Sequence, residues 1–373
     1  MNGGMDKRLL VHANWMLLIF TALLFTTGIV NLYSASGERL EEGIRVAPFF
    51  QKQLLWGALG LCGLILCTLF DYRHLKPLAL PFFALTLLLL ALVPLIGVRV
   101  YGAQRWLSLG FFNLQPSELA KLSTLLMTAA VLSRYNDPLD WTRLCLVLLI
   151  SFLPCALIFI QPDLGTAILL LLLTGGIIIY HGVRLSVLKI SLAALPVLPP
   201  LGWFFLLKEY QKKRILTFLD PSLDPMGAGY HITNSKIAIG SGEIWGKGFQ
   251  EGSHHLLRFL PEKHTDFALA VFSEEWGLIG SVMLLLFFCN FLLCIINTAK
   301  EAKDRFGSIL CAGIFFYFFW QILINIGMVV GVMPVVGIPL PFISYGGTAT
   351  IVNFILLGLV LNVSMRRFMF KTN

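Results

Sequence analysis

The sequence is short of charge, and that shortage argues against most soluble classes of protein. Charged residues make up 13% of its 373 residues, well below the roughly 25% that soluble domains carry. The hydrophobic fraction is 57%, and the mean hydropathy is +0.81. Neither an internal repeat nor a low-complexity tract accounts for this bias. The composition therefore predicts an integral membrane protein rather than two or three soluble domains.

The patterns of a disulfide-rich or secreted protein are also missing. All seven cysteines lie inside apolar stretches, which excludes a disulfide framework and a zinc site and predicts ordinary packing residues. The first apolar run, from Trp15 to Tyr33, is too long for the core of a cleavable signal peptide and lacks a small-residue cleavage site. It predicts a first transmembrane helix.

Hydrophobic runs long enough to span a bilayer recur along the whole chain. Because a membrane helix needs about 20 apolar residues, the sequence predicts an all-α integral membrane protein with about ten transmembrane helices in a single domain, residues 1–373. A large extracytoplasmic loop, at about 208–277, separates helices 7 and 8. The predicted spans are 13–34, 53–70, 77–97, 117–133, 143–160, 164–181, 188–207, 278–297, 307–332 and 342–365.

Lysine and arginine are distributed unequally between the two sides of this arrangement. An even number of spans places both termini on one side, which holds 14 of these residues against 5 in the short opposite loops. The positive-inside rule then places both termini in the cytoplasm. The 14 are Lys7, Arg8, Arg73, Lys76, Arg134, Arg143, Arg184, Lys189, Lys300, Lys303, Arg305, Arg366, Arg367 and Lys371, and the 5 are Arg39, Arg45, Lys52, Arg99 and Arg105.

The long loop at 208–277 departs from that bias. It holds eight basic residues on the side predicted to face outward, and an anionic ligand would explain them. A solvated loop that happens to be basic is the alternative. The eight residues are Lys208, Lys212, Lys213, Arg214, Lys236, Lys247, Arg258 and Lys263.

A polar motif precedes and opens the fourth predicted span. Arg105 and Trp106 lie ahead of it, and Ser117 can cap a helix whose first turn holds Glu118. Glu118 and Lys121 are three residues apart, on one helix face. Charges at the start of a membrane helix need a partner or water. The pair therefore either lines an outward cavity that binds a pyrophosphate or a metal, or forms a structural salt bridge near the interface.

Two aspartates occur at predicted turns on the outer side. Asp163 follows a proline, and a turn residue or helix N-cap is the favoured interpretation. Asp266 is predicted to open a short interfacial helix ahead of the span that begins at Leu278, where the helix N-terminus keeps a carboxylate ionised. Lys263 and His264 place further ionisable groups beside it. The alternatives are an ordinary N-cap for Asp266 and a hydrogen-bonded interface residue for His264.

Two stretches rich in glycine or proline give weaker signals. Residues 225–248 contain repeated glycines, which either let backbone amides approach an anion or form ordinary loops. Residues 334–347 break an otherwise apolar stretch. Non-helical backbone at membrane depth is stable only where it is buried in protein or lines a wet cavity.

Taken together, five motifs resemble the SEDS family of bacterial shape, elongation, division and sporulation proteins, and its RodA branch most closely. The resemblance extends from the first span to the last. Chance similarity between hydrophobic helices would not reproduce the polar loop motifs. In order, they are GAQRWLSLGFFNLQPSELAK, QPDLGT, DPMGAGYHITNSKIAIGSGEIWGKG, FLPEKHTDF and PLPFISYGGTATIV.

The resemblance implies a ten-helix peptidoglycan glycosyltransferase of the bacterial inner membrane that uses lipid II. Its partners would be the nascent glycan strand and a class B penicillin-binding transpeptidase, with no nucleic acid. The family's essential aspartate falls on Asp266, and its cavity pair falls on Glu118 and Lys121. No tightly bound cofactor is expected, although a divalent cation, Mg²⁺ or Mn²⁺, supports the family's activity. Lys263 stands where the family has arginine, which keeps the charge but loses a bidentate contact to phosphate.

These assignments combine into one mechanistic hypothesis. Asp266 takes the proton from the 4-hydroxyl of a lipid-linked disaccharide as that hydroxyl attacks the anomeric carbon of the strand held on undecaprenyl pyrophosphate. A β-1,4 linkage forms, and cationic groups stabilise the departing pyrophosphate; the candidates are Arg105, Lys121, Lys212 and Arg214. The expected substrate-binding residues are Glu118, Lys121, Arg105, Trp106, Lys212, Arg214, Lys263 and His264, with Glu118 also a candidate metal ligand.

Two other classes of function compete with this hypothesis. A lipid II flippase would place its charged groups near the bilayer midplane, whereas the candidate charges are predicted at the outer rim. A membrane scaffold that recruits cell-wall enzymes would tolerate a change at Asp266. Polymerisation and translocation assays on the same purified protein separate the three.

Overall fold

The chain folds into a bundle of long helices connected by short helices and two small antiparallel sheets. The computed structural model describes residues 12–36, 39–41, 44–46, 48–100, 103–108, 110, 113–225, 227–252 and 264–367. The sheets are β1 (Arg39–Glu41) with β2 (Ile44–Val46), and β3 (Val98–Val100) with β4 (Ala103–Ser108) and β5 (Asn113–Leu114). The α-helices are α1 (Trp15–Ser36), α2 (Phe49–Leu69), α3 (Leu75–Ile96), α4 (Pro116–Leu132), α5 (Trp141–Ile160), α6 (Leu164–His181), α7 (Leu185–Ala194), α8 (Leu198–Leu201), α9 (Glu209–Leu219), α10 (Ala228–Ser241), α11 (Ala268–Glu301), α12 (Arg305–Val330) and α13 (Gly347–Met365).

The predicted membrane spans agree with the long helices. Within the described ranges, eight helices are long and apolar enough to cross a membrane, or nine if Leu185–Ala194 and Pro199–Phe205 form one bent span. The remaining predicted span, the fourth (117–133), corresponds to α4, which has 17 residues and contains a buried Glu118 and Lys121. The prediction of a multi-spanning all-α membrane protein is therefore confirmed.

The seventh predicted span is not a continuous helix. After α7 the backbone makes a 3-10 turn at Leu195–Val197, and the next helical segment leaves at an angle of 43°. Pro196, Pro199 and Pro200 lie at this bend. Each proline lacks an N–H and clashes with the preceding turn, so an α-helix cannot run straight through them.

The large outer loop predicted at 208–277 is not confirmed. Much of it is helical, since α9 and α10 lie inside it and α11 starts at Ala268, ten residues before the predicted span. The hydropathy pattern missed α9 because its eleven residues are strongly polar on one face. Residues 253–263, which include the predicted Lys263, lie outside the described ranges.

Helix α4 forms the centre of the bundle. It packs against α3, α5, α6, α12 and α13, and fifteen of its 17 residues are buried. Helices nearer the outside expose large apolar side chains, among them Leu66, Ile179 and Leu286. Such a distribution, with polar residues inside and apolar residues outside, is what a lipid environment favours.

Both described ends of the chain lie at the same end of the bundle. The Ser364 hydroxyl near the end of α13 donates a hydrogen bond of 3.1 Å to the carbonyl of His12, just before α1. Since α13 is 19 residues long, its first residue lies about 28 Å away along the helix axis. The start of α13 therefore marks the opposite end of the bundle.

Candidate active site

A large cavity opens at that opposite end. Its volume is about 1080 Å³, the upper range for a pocket that binds a small ligand. Five helices begin at its wall: α2, α4, α6, α11 and α13. Because each helix start carries a partial positive charge from the backbone dipoles, five starts that converge on one space favour an anion there.

Asp266 lies in the wall of this cavity, on a turn at residues 264–267. The structure corrects one detail of the prediction. The N-cap of α11 is Phe267, with no side-chain capping hydrogen bond, so Asp266 precedes the helix instead of capping it. Its carboxylate approaches Gly337, where a Cβ would lie 3.4 Å from Oδ2 of Asp266.

A buried asparagine fixes the backbone of this turn. Asn325 on α12 is fully buried, and its Nδ2 amide donates to the carbonyl of Asp266 at 3.0 Å and to that of Ile338 at 2.8 Å. One side chain thus ties the Asp266 turn to the proline-rich segment 331–346. No pattern in the sequence marked Asn325, because an asparagine in an apolar run reads as a helix-packing residue.

Glu118 and Lys121 form the predicted salt bridge and also line the cavity, while the binding of a pyrophosphate or a metal by this pair stays a prediction. Lys121 Nζ lies 2.7 Å from Glu118 Oε1, both side chains are nearly inaccessible, and both residues line the cavity. The ammonium also lies 5.3 Å from the ring centroid of Tyr317. Within the described part of the chain, Glu118 Oε2 has no hydrogen-bond partner. A buried carboxylate oxygen without a partner is costly to maintain and points to a ligand.

The predicted cations separate into two groups. Arg105 and Arg214 line the cavity, and so does Trp106. Arg105 donates to the carbonyls of Gln161 and Pro162, and its Nη1 lies 3.9 Å from Asp163 Oδ1. These contacts hold the guanidinium of Arg105 against the start of α6.

Lys212 and Lys263 are not placed in that wall. Lys212 Nζ lies 3.2 Å from Glu209 Oε1, one turn back on α9, and Lys212 is absent from the residues that line the cavity. Lys263 lies outside the described ranges. A role for either in substrate binding stays a prediction.

Asp163 is the N-cap that the sequence predicted. Its carboxylate accepts from the backbone N–H of Thr166 at 3.3 Å and from the Thr166 hydroxyl at 3.0 Å. Asp163 also borders the cavity, so its negative charge adds to that of Glu118 and Asp266. The structure brings these three carboxylates and the cations Arg105 and Lys121 around one space.

The sequence did not predict that Lys52 and the aromatic residues Phe49 and Tyr345 belong to the site. Lys52 lies in the first turn of α2 and lines the cavity, but in the sequence it resembles any lysine that flanks a membrane span. Phe49 stacks on His264 with ring centroids 3.8 Å apart, and Tyr345 packs on Phe49 at 4.8 Å. Together they form an aromatic wall next to Asp266.

Comparisons with known proteins match nearly the whole chain. The family model of the FtsW, RodA and SpoVE group, described as "Cell cycle protein", matches residues 14–368. Peptidoglycan glycosyltransferase MrdB of Escherichia coli (strain K12) is 38% identical over 352 residues, which covers 94% of this chain and 93% of that protein.

Solved structures agree in fold. A chain from a study of polymerization and crosslinking by a peptidoglycan synthase complex superposes with a TM-score of 0.81 at 31% identity, over 95% of this chain and 98% of the other. Rod shape determining protein RodA of Thermus thermophilus gives a TM-score of 0.70 at 28% identity, over 96% and 98% of the two chains. The SEDS resemblance read from the motifs is confirmed, and the chain belongs to the FtsW/RodA/SpoVE family of cell cycle proteins.

Proposed function

We propose that the chain is a peptidoglycan glycosyltransferase that joins lipid II disaccharides into glycan strands by β-1,4 linkage and releases undecaprenyl pyrophosphate. The name of the relative MrdB supports the reaction. The similarity of this chain to a rod shape determining protein supports a role in cell elongation and rod shape. One observation carries the proposal: Asp266 shares a single large cavity with Arg105, Lys121 and Arg214.

The arrangement suits a displacement that needs a base but no general acid. Asp266 would take the proton of the attacking 4-hydroxyl, since a carboxylate within hydrogen-bond reach serves as a general base. Pyrophosphate leaves without protonation, and its developing charge would meet Arg105, Lys121 and the five helix starts. Trp106, Arg214 and His264 would contact the sugar or phosphate groups from the same wall.

A divalent cation would enter with the substrate. No group of three or more His, Cys, Asp or Glu residues that could cage a metal occurs in the part of the chain that the structure describes. Mg²⁺ is usually held by one or two carboxylates together with substrate phosphates. Glu118, whose Oε2 has no partner among the described residues, is the carboxylate that fits this role, and the cation would supply charge neutralisation at the pyrophosphate.

The membrane orientation follows from the distribution of charge. The described ends of the chain and the cavity lie at opposite ends of the bundle. We place the termini in the cytoplasm, where the excess of lysine and arginine belongs, and the cavity at the outer face of the bacterial inner membrane. Outward placement suits a polymerase whose product is built outside the cell.

We further propose a class B penicillin-binding transpeptidase as partner. The neighbour that superposes with a TM-score of 0.81 belongs to a peptidoglycan synthase complex that couples polymerization to crosslinking. This protein matches that chain over 98% of its length. A similar helical bundle is therefore present for such a partner to bind. The partner would cross-link the strands made at this site.

The decisive experiment is polymerisation of purified lipid II by Asp266→Asn. Loss of the base should lower the rate by at least about a hundredfold, whereas expression and membrane insertion should be unaffected because asparagine keeps the size of the side chain. Asp137→Asn, which changes an exposed carboxylate outside the cavity, is the control and should be silent. Polymerisation by Asp266→Asn at the wild-type rate would exclude Asp266 as the base.

A translocation assay separates the flippase alternative. Proteoliposomes with fluorescent lipid II should show strand synthesis by the wild type and no transbilayer movement. Movement of lipid II without synthesis, unaffected by Asp266→Asn, would contradict the proposed reaction.

A further inference from the structure

Helix α11, which follows Asp266, is broken near its start. Gly277 has φ 63° and ψ −161° and separates residues 268–276 from residues 278–301. A break of this kind leaves carbonyls before it and N–H groups after it without their helical partners. In an apolar environment each such group costs several kcal/mol unless another partner is supplied.

Residues 243–248, here called the splint, supply those partners on the far side of the break. The carbonyls of Glu243 and Ile244 accept from the N–H groups of Leu278 at 2.9 Å and Ile279 at 3.2 Å. These are the two N–H groups that follow Gly277 directly. The splint thereby caps the second half of α11.

The same segment also supplies hydrogen-bond donors to the first half of α11, residues 268–276. The N–H groups of Lys247 and Gly248 donate to the carbonyls of Glu274 at 3.0 Å and Glu275 at 3.1 Å. The splint thus bonds to both sides of the break, and the relative position of the two halves depends on it.

Close backbone approach locks this arrangement. A Cβ on Gly246 would lie 2.1 Å from the carbonyl oxygen of Glu275, and a Cβ on Gly277 would lie 2.3 Å from the N of Gly246. Both glycines also have positive φ, at 83° and 63°. The sequence analysis left two interpretations of the glycine-rich stretch, an anion-binding backbone or an ordinary loop. At residues 246–248 the stretch instead packs against the break in α11.

One ion pair adds side-chain contact to the splint. Lys247 Nζ lies 2.7 Å from Glu274 Oε1, and Glu274 is fully buried. The backbone bonds already satisfy the break, so the pair is not needed for that purpose. Buried ion pairs stabilise weakly but restrict geometry. Lys247 and Glu274 do not line the cavity.

The other end of residues 268–276 is fixed as well. Asn325 holds the carbonyl of Asp266, two residues ahead of α11. Nine helical residues span about 13 Å, so the splint and Asn325 hold the two ends of one short helix, and a shift at the splint strains the Asn325 contact to Asp266.

We propose that the splint, through the Lys247–Glu274 pair, sets the position of Asp266 in the cavity, with Lys247 and Glu274 as positioning residues. This inference rests on the proposed function only in that Asp266 is the base of that reaction. The pair acts on catalysis through geometry and makes no contact with the substrate.

Steady-state polymerisation by the full chain gives the first test. Lys247→Met and Glu274→Gln should each lower kcat by about tenfold, with KM for lipid II within about twofold, because a small misplacement of a catalytic group acts on the chemical step. Lys247→Arg keeps the charge and should restore kcat. Lys213→Met, which breaks an exposed pair with Asp224 in the same outer region, is the matched control and should leave kcat unchanged.

A second measurement does not depend on activity. In a chain whose seven native cysteines are replaced by alanine, Asp266→Cys introduces one thiol, and its alkylation rate reports its surroundings. Adding Lys247→Met or Glu274→Gln should change this rate by about threefold or more, since thiol reactivity follows local charge and access. Glu274→Gln preserves side-chain size and serves if Lys247→Met does not fold.

The outcomes are distinguishable. An unchanged alkylation rate and unchanged kcat in a folded variant would overturn the inference, as would equal changes in Lys213→Met. If the wild type does not polymerise lipid II but the alkylation rate responds to Lys247→Met, the proposed function fails and the positioning role stands.

Discussion

The two ends of the helical bundle differ in how their polar groups are satisfied and in how regular their backbone is. At the end that holds the first and last described residues, most polar groups are matched: Asp304 caps α12 by accepting from Gly307 N at 2.9 Å, and it also accepts from Tyr72. Asn362 donates to the carbonyls of Cys67 and Phe70. This end is held mostly by ordinary caps and satisfied hydrogen bonds, although Nη1 of Arg143 is buried without a hydrogen-bond partner among the described residues.

The cavity end differs in both respects. Glu118 Oε2 is buried without a partner among the described residues, and helix α11 is interrupted. A positive φ angle occurs at Phe342, in the segment that borders the cavity. Strained backbone and unmatched polar groups concentrate at sites that do chemistry. The contrast indicates that one end was built for stability and the other for a ligand.

Breaking the Glu118–Lys121 pair should have the largest effect at the cavity end. Lys121→Met removes the ammonium and leaves the buried carboxylate of Glu118 without a counter-charge, which should lower the free energy of unfolding by about 3–5 kcal/mol. Polymerisation should be lost with it. Thermal unfolding in detergent measures the loss of stability, and polymerisation of purified lipid II measures the loss of activity. A variant as stable and active as the wild type would show that the pair is dispensable.

Removing Asn362 should test the terminal end. Asn362→Ala leaves the carbonyls of Cys67 and Phe70 without their donor, and each buried unsatisfied group costs about 1–3 kcal/mol. We expect the free energy of unfolding to fall by about 2–3 kcal/mol while kcat per folded molecule stays within twofold. A specific loss of kcat at unchanged stability would contradict the division between the two ends.

A methyl group at Gly337 should have a smaller effect on stability. Gly337 has φ 72°, where an L side chain is strained by about 1–2 kcal/mol. The added Cβ of Gly337→Ala would also lie beside the carboxylate of Asp266, so polymerisation should fall more than stability does. The same assays check both values, and equal activity with lower stability would show that Asp266 tolerates the contact.

An exposed pair at the terminal end should matter least. Arg73 Nε lies 3.3 Å from Asp304 Oδ2 with both side chains partly exposed, and such pairs contribute about 0–1 kcal/mol. Arg73→Ala should therefore change the unfolding temperature little and the activity not at all. A loss comparable to that of Lys121→Met would remove the distinction between buried and exposed pairs.

The sequence predicted the spans well because bilayer thickness imposes a length on every apolar run. The sequence did not predict the break in α11, because residues far away in the chain stabilise it. The sequence around Gly277 predicts one uninterrupted helix. The helix breaks at Gly277, and residues 243–248, some thirty positions earlier, stabilise that break. Pro196, Pro199 and Pro200 indicate the bend after α7. The high mean hydropathy of the run predicted a continuous span there instead.

The candidate site was only partly readable from local patterns. Asp163 as a cap and Glu118 with Lys121 as a pair follow from spacing within one helix. That Asp266 lies in the same cavity as these residues depends on the packing of α4, α6 and α11, which local spacing does not reveal; the family resemblance supplied it. Lys52 was missed because a flanking lysine and a cavity lysine have the same sequence signature.

The convergence of five helix starts has a consequence for how the reaction ends. A field that stabilises the departing pyrophosphate persists after the bond is broken, since backbone dipoles cannot be switched off. The spent carrier is therefore retained by the same attraction that eased its departure. Its escape should become quicker as ionic strength rises and counter-ions weaken that attraction.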